Sequence, residues 1–138
     1  MKTPPALMTR SPVDARDRGL AAAGLLANVV WLILASLALS QPDPLQTANL
    51  VLALAAWIPS AVVGLIASLA LLWRRRWGIV LALVALSLQI LVLIPYGIVR
   101  VCLVSDARSL TASLTTAVLV IVILLIVHWG RALARPRR

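Results

Sequence analysis

Four long runs of apolar residues divide the chain, and short polar or charged segments separate them. Each run holds between 20 and 24 residues and contains no Asp, Glu, Lys or Arg. The runs are Leu20–Leu39, Leu50–Trp73, Trp77–Val99 and Leu110–Trp129. Because about 20 helical residues cross the hydrocarbon layer of a bilayer, each run is long enough for a transmembrane helix. The runs are continuous rather than alternating, which favours helices over a membrane β-barrel.

Helix-start signals extend some of these runs into the flanking polar segments. Each signal places a capping side chain before the run, and two of them also place a proline at the first helical position. They are Ser11-Pro12, Asp43-Pro44 and Ser105 or Asp106. The predicted helices cover residues 12–39, 44–73, 77–104 and 106–130, and cytoplasmic tails cover 1–10 and 131–138. We therefore predict an all-α fold: a single integral membrane domain over residues 1–138, built as an antiparallel bundle of four transmembrane helices.

Composition agrees with this class of protein. Hydrophobic residues make up 62% of the chain, charged residues 12%, and the mean hydropathy is +1.04. Soluble domains carry about 25% charged residues. A soluble globule of this length buries only about two-thirds of its surface, so it could not hide so many apolar side chains.

The basic residues are distributed unevenly between the two ends of the predicted bundle. Eleven lie on the side of the termini, whereas Arg100 and Arg108 lie on the other. Lys and Arg concentrate on the cytoplasmic side of membrane proteins, so both termini are predicted to be cytoplasmic. The net charge of +9 is confined to segments between apolar runs, which argues against nucleic acid as a partner. The chain has twelve arginines and one lysine, with abundant Ala, Leu and Val, which indicates a high-GC coding sequence and therefore a bacterial protein. The predicted location is accordingly the bacterial inner membrane.

The first helix leaves one alternative open. Its basic leader and the Ala38-Leu39-Ser40 segment are similar to a signal peptide with a small-residue cleavage site. An apolar region of 20 residues is longer than the roughly 7–15 residues of a signal sequence, which favours a retained helix.

The second helix carries small residues at intervals of four. This predicted packing ridge consists of Ala56, Ser60, Gly64 and Ser68. Small residues at this spacing let another helix backbone approach closely. The sequence does not say whether the partner is a helix of the same chain or of another protein.

Two amides, Asn28 and Gln89, lie deep within apolar runs. An unpaired amide in hydrocarbon is costly, so we expect each to form an interhelical hydrogen bond. A role in a substrate or ion path is the alternative, with Gln89 the better candidate.

Two prolines, Pro59 and Pro95, are predicted to kink their helices and leave a small cavity. Tyr96 and Arg100 follow Pro95 and share one helix face, so they could line this cavity. The alternative interpretation is that Arg100 extends to the interface between membrane and water.

The connection between the second and third helices is strongly basic. Arg74, Arg75 and Arg76 stand between Trp73 and Trp77. Arginine attracts anionic lipid headgroups and tryptophan prefers the headgroup level, so we predict a membrane anchor here. A docking site for an acidic partner is the alternative.

No pattern of catalytic, metal or cofactor residues is present. One histidine and one cysteine cannot form a zinc site or a haem ligand pair within one chain. His128 is expected at the membrane interface, and Cys102 is expected to be a free thiol, with a disulfide between protomers as the alternative.

The sequence therefore favours a non-catalytic protein over an enzyme. Its predicted role is a small accessory, assembly or scaffolding subunit of a larger membrane complex. Its expected partners are the lipid bilayer and a second membrane protein or another copy of the chain. The alternative is a small oligomeric transporter or channel, with a path near the outer half of the third helix.

Overall fold

The computed structural model describes residues 15–40, 42, 45–104 and 108–134. Of these described residues 95% are helical, and none of them belongs to a strand. Helix α1 is Ala15–Ser40, and α2 joins Gln46–Leu52, Ala53–Trp57 and Ile58–Leu72 without a break. Helix α3 is Trp77–Val99 with a final segment Arg100–Val104, and α4 is Arg108–Ala134. This helical content confirms the predicted all-α class. All four helices are long and apolar enough to span a membrane, which suggests a membrane protein.

Helices α1 and α2 end within one residue of the sequence prediction, at Ser40 and Leu72, whereas the end of α4 differs by more. Helix α4 continues through Ala134, whereas the sequence predicted a helix end at residue 130 and a tail from 131. Arg131 therefore lies in the last turn of α4, where a positive charge is favourable beside the unpaired carbonyls. The three predicted helix-start signals lie outside the described residues, as does the predicted tail over 1–10.

A wide turn in α2 accompanies Pro59. The segment Ala53–Trp57 is π-helical, and the Ile58 amide donates to the Ala53 carbonyl five residues earlier. Proline has no amide hydrogen, and its ring crowds the carbonyl four residues before it. A π turn immediately before the proline relieves that crowding without ending the helix. A second π-helical segment, Arg100–Val104, follows the proline in α3.

The packing order follows the chain. Helix α2 packs against α1 and α3, and α3 packs against α4. Within the described ranges, α1 and α4 have no extended contact with each other. The space between these two helices will be called the α1–α4 seam.

Small residues fill the interior, and large aliphatic residues cover the exterior. The buried positions are dominated by alanines, and these are Ala21, Ala35, Ala53, Ala56, Ala61, Ala67, Ala70, Ala82 and Ala85. Many leucines, valines and isoleucines are exposed instead. This distribution is the reverse of a soluble core and is typical of helices that pack closely within a lipid bilayer.

The α2–α3 connection is a tight reversal. Arg74 adopts a left-handed backbone with φ of 58°, and its amide donates to the Leu71 carbonyl at 3.0 Å. The Arg75 amide donates to the Ala70 carbonyl at 2.8 Å. These two bonds form a Schellman motif, which satisfies the last carbonyls of α2. Glycine usually occupies the left-handed position, but arginine occupies it here.

Candidate functional site

The ridge on α2 contacts α1 of the same chain. All four residues of the ridge, Ala56, Ser60, Gly64 and Ser68, are buried. A Cβ atom on Gly64 would lie 2.2 Å from Asn28 Oδ1, and one on Gly24 would lie 3.1 Å from Ser68 Oγ. The small residues therefore allow α1 and α2 to approach closely, so this face is unavailable to another protein.

The amides of Asn28 and Gln89 form one hydrogen-bonded pair. Gln89 Nε2 donates to Asn28 Oδ1 at 3.0 Å, and Asn28 Nδ2 donates to the Gly24 carbonyl at 2.7 Å. Because Asn28 lies on α1 and Gln89 on α3, the pair links two helices across the Gly64 backbone of α2. This is the arrangement expected for polar side chains that stabilise an interhelical contact.

A closed cycle of hydrogen bonds joins two indoles. Trp31 Nε1 donates to Ser60 Oγ at 2.9 Å, and Ser60 Oγ donates to the Trp57 carbonyl at 2.7 Å. Trp57 Nε1 donates to the Trp31 carbonyl at 3.1 Å. The two rings lie 5.2 Å apart, so the cycle fixes both of them between α1 and α2.

Tyr96 and Arg100 extend this aromatic cluster from α3. Trp57 and Tyr96 contact each other edge to face, with ring centroids 5.1 Å apart. The Arg100 guanidinium lies 5.1 Å from the centroid of the Tyr96 ring, which is a cation–π contact. This contact joins the end of α3 to the aromatic cluster.

A cavity of about 670 Å³ adjoins these side chains. Residues of all four helices line it, and Thr111 and Thr115 contribute hydroxyls from α4. This aromatic cavity contains Tyr96 and Arg100, the two residues that the sequence placed near a cavity. The sequence predicted a cavity formed by helix kinks at Pro59 and Pro95. The observed cavity lies in the α1–α4 seam instead, and all four helices form its walls.

A second cavity of about 280 Å³ lies beside the amide pair. Small residues of α1, α2 and α3 form most of its wall, and Ile121, Leu125 and Trp129 of α4 close it. This amide cavity is almost entirely apolar apart from Asn28, Gln89 and Ser68.

A polar contact crosses the α1–α4 seam near the amide cavity. His128 Nε2 lies 2.9 Å from Asp17 Oδ1. Asp17 is buried, whereas His128 is half-buried and packs edge to face on Trp129. The sequence predicted an interfacial His128 and gave no indication that this residue contacts Asp17.

The connection between α2 and α3, residues 73–77, will be called the arginine turn, and most of its side chains are exposed. Trp73 and Trp77 are exposed, as are Arg74 and Arg75. Arg76 is half-buried, and its guanidinium donates to the Leu133 carbonyl of α4 at 3.2 Å. The turn therefore presents charge and indole surface while one arginine contacts α4. Cys102 is an exposed free thiol.

The polar side chains of the described residues lie mainly at contacts between or within helices. Within the described ranges, no three His, Cys, Asp or Glu side chains could hold a metal ion. Every buried side-chain nitrogen or oxygen of the described residues has a hydrogen-bond partner. The deep polar groups are therefore used in helix contacts.

Sequence reasoning missed Trp31, Trp57, Asp17 and Thr115. Trp31 and Trp57 are the only aromatic residues in the interior of the first two apolar runs, a signal that could have pointed to them. Asp17 is the one acid at the start of α1 within the described residues, but nothing in the pattern indicates its contact with α4.

Comparison with known proteins adds no relative. No protein-family model matches the chain, and neither a curated protein nor a solved structure has a significant similarity to it.

Proposed function

We propose that this chain is a non-catalytic, multi-pass membrane protein that serves as a small accessory, assembly or scaffolding subunit. Its four helices cross the bilayer in antiparallel order, with both termini in the cytoplasm. The uneven distribution of Lys and Arg supports this orientation. The arginine-rich composition favours a bacterial inner membrane.

The observation that carries the proposal is the exposure of α4. Only 6% of its most apolar segment is buried, whereas 39% of the corresponding segment of α2 is buried. Because the ridge of α2 is covered by α1, it cannot supply the contact with a partner. Helix α4, together with the α1–α4 seam, then provides an exposed apolar surface for a second membrane protein or another copy of the chain.

The arginine turn supports a peripheral contact with lipid. Three arginines with exposed flanking indoles, Trp73 and Trp77, suit anionic headgroups on the cytoplasmic side. Apart from lipid, the proposed partner is a membrane protein, and no nucleic acid is proposed as a partner.

Photo-crosslinking in native membranes tests the accessory role. A photoreactive residue at Leu124, which is exposed on α4, should yield a discrete crosslinked protein. The matched control places the same residue at Ile66, which is exposed on α2. The proposal would be contradicted if the chain is a monomer and the residue at position 124 captures no protein. It would also be contradicted if positions 124 and 66 give the same crosslinked products.

A second candidate function is a small oligomeric transporter or channel. The aromatic cavity favours it, because Tyr96 and Arg100 line a space of about 670 Å³ in the half of α3 that the sequence pointed to. Gln89 contributes less to this candidate because it is bonded to Asn28. Flux into liposomes that is unchanged by Arg100→Gln would exclude this candidate.

A further inference from the structure

The lining of the aromatic cavity combines aromatic and aliphatic side chains with one arginine. Trp31 and Trp57 form part of its wall, and Leu93 contributes further apolar surface. Arg100 of α3 and the hydroxyl-bearing Thr111 of α4 also line it. A ligand that fits this lining has a long apolar part and an anionic group.

The size of the cavity is suitable for part of such a ligand. Its volume of about 670 Å³ lies within the range of roughly 300–1,000 Å³ that is usual for small-molecule sites. The hydrogen-bond cycle of Trp31, Ser60 and Trp57 holds the indole wall in place, so the site is formed before a ligand arrives. A preformed wall reduces the entropy lost on binding.

The surroundings of the cavity indicate how the ligand reaches it. Leu34, Leu37 and Leu114 line the cavity and are also exposed on the surface of the molecule. Since α1 and α4 have no extended contact within the described ranges, the cavity lies in a seam flanked by leucines. A molecule that enters between leucines comes from the hydrocarbon of the bilayer rather than from water.

The charge of Arg100 determines the headgroup. A guanidinium has five N–H donors in a fork that matches phosphate, so it can bind a phosphate oxygen while it keeps its contacts within the protein. Its position over Tyr96 holds it at the cavity. Thr111 and Thr115 of α4 also line the cavity.

We propose that the aromatic cavity is a binding site for one anionic phospholipid of the bilayer. An acyl chain occupies the space between the indoles and α4, and the phosphate contacts Arg100. This inference rests on the proposed membrane location but not on the accessory role, so the two can fail separately.

Native mass spectrometry of the full chain, released from nanodiscs of phosphatidylglycerol and phosphatidylcholine, tests the site. The wild-type chain should retain one phosphatidylglycerol at least tenfold more than phosphatidylcholine. Arg100→Gln should abolish this preference. The matched control is Arg108→Gln, which removes an exposed arginine that does not line the cavity and should keep the preference. Leu114→Trp, which fills the cavity, should reduce retention of both lipids.

Several results would overturn the lipid site. Equal loss of preference in Arg100→Gln and Arg108→Gln would mean that lipid responds to general surface charge. Equal retention of both lipids would mean an unselective gap, and a dimer without bound lipid would place a second copy in the cavity. Displacement by inorganic phosphate alone would identify a soluble anion instead. A chain that does not enter nanodiscs would contradict both the membrane location and the lipid site.

Discussion

At the scale of single residues, the contact between Gly64 and Asn28 controls how closely α1 and α2 approach. A Cβ atom at position 64 would lie 2.2 Å from Asn28 Oδ1 and 2.7 Å from its Nδ2. The Asn28 side chain would have to move, and its hydrogen bond from Gln89 would be lost. We expect Gly64→Ala to lower the free energy of unfolding by about 1–3 kcal/mol, measured by SDS titration in mixed micelles.

Two further variants isolate the cause. Gly130→Ala places a methyl group where no atom lies within 4 Å, so it should be neutral or slightly stabilising. In an Asn28→Ala background, Gly64→Ala should cost much less, because the obstructing amide is gone. An equal cost in both backgrounds would mean that the Asn28 contact is not responsible.

Arg74 is the second residue whose backbone constrains its identity. Its φ of 58° is in the left-handed region, where a side chain is unfavourable and glycine is not. Arg74→Gly should therefore stabilise the fold in mixed micelles by up to about 1 kcal/mol. Arg75→Gly is the matched control, because its φ is not positive and glycine there should destabilise. A stabilisation by both variants would point to relief of charge repulsion instead.

At the scale of helices, α2 and α3 approach each other closely at Gly78. A Cβ atom there would lie 2.9 Å from Ala70 Cβ, 3.0 Å from the Leu71 nitrogen and 3.1 Å from the Ala67 oxygen. Two of these atoms are backbone, so only a separation of the helices can make room. We expect Gly78→Ala to destabilise by about 2–3 kcal/mol in the same titration.

The matched controls for this helix contact are Gly97→Ala and Gly19→Ala. Gly97 faces the side chain of Thr115, which can rotate, so its substitution should cost less than that of Gly78. Gly19 has no atom within 4 Å of the added Cβ and should tolerate the change. If Gly78→Ala lowered the free energy of unfolding less than Gly97→Ala, α2 and α3 would be able to move apart at little cost, contrary to this prediction.

The helices themselves could be predicted from the sequence because each is one continuous apolar run. The spacing of Ser60 and Gly64 identified a packing face, but it did not identify α1 as the helix that covers it. Spacing along one helix says which residues share a face, whereas the facing helix depends on the whole arrangement. Asp17 and His128 are 111 positions apart in the sequence, so no local pattern could reveal their contact.

At the scale of the whole molecule, Asp17 and His128 hold together two helices that otherwise have little contact. The buried carboxylate of Asp17 would lose a close partner in His128→Ala, 2.9 Å away. We expect a destabilisation of about 1–3 kcal/mol and faster amide exchange at the start of α1 and the end of α4. His128→Gln, whose amide can donate to the carboxylate, should restore part of the stability. Unchanged exchange in His128→Ala would mean that other contacts hold the seam.

The orientation of the whole molecule can be tested through its only cysteine. Cys102 is exposed and lies near Arg100, on the side predicted to be outside the cytoplasm. A membrane-impermeant maleimide should therefore label it in intact cells. The control is Arg131→Cys in a Cys102→Ser background, which should react only after the membrane is opened, because position 131 belongs to the strongly basic side. Labelling at position 131 but not at Cys102 in intact cells would mean that the topology is the reverse of the predicted one. The aromatic cavity would then lie near the cytoplasmic leaflet.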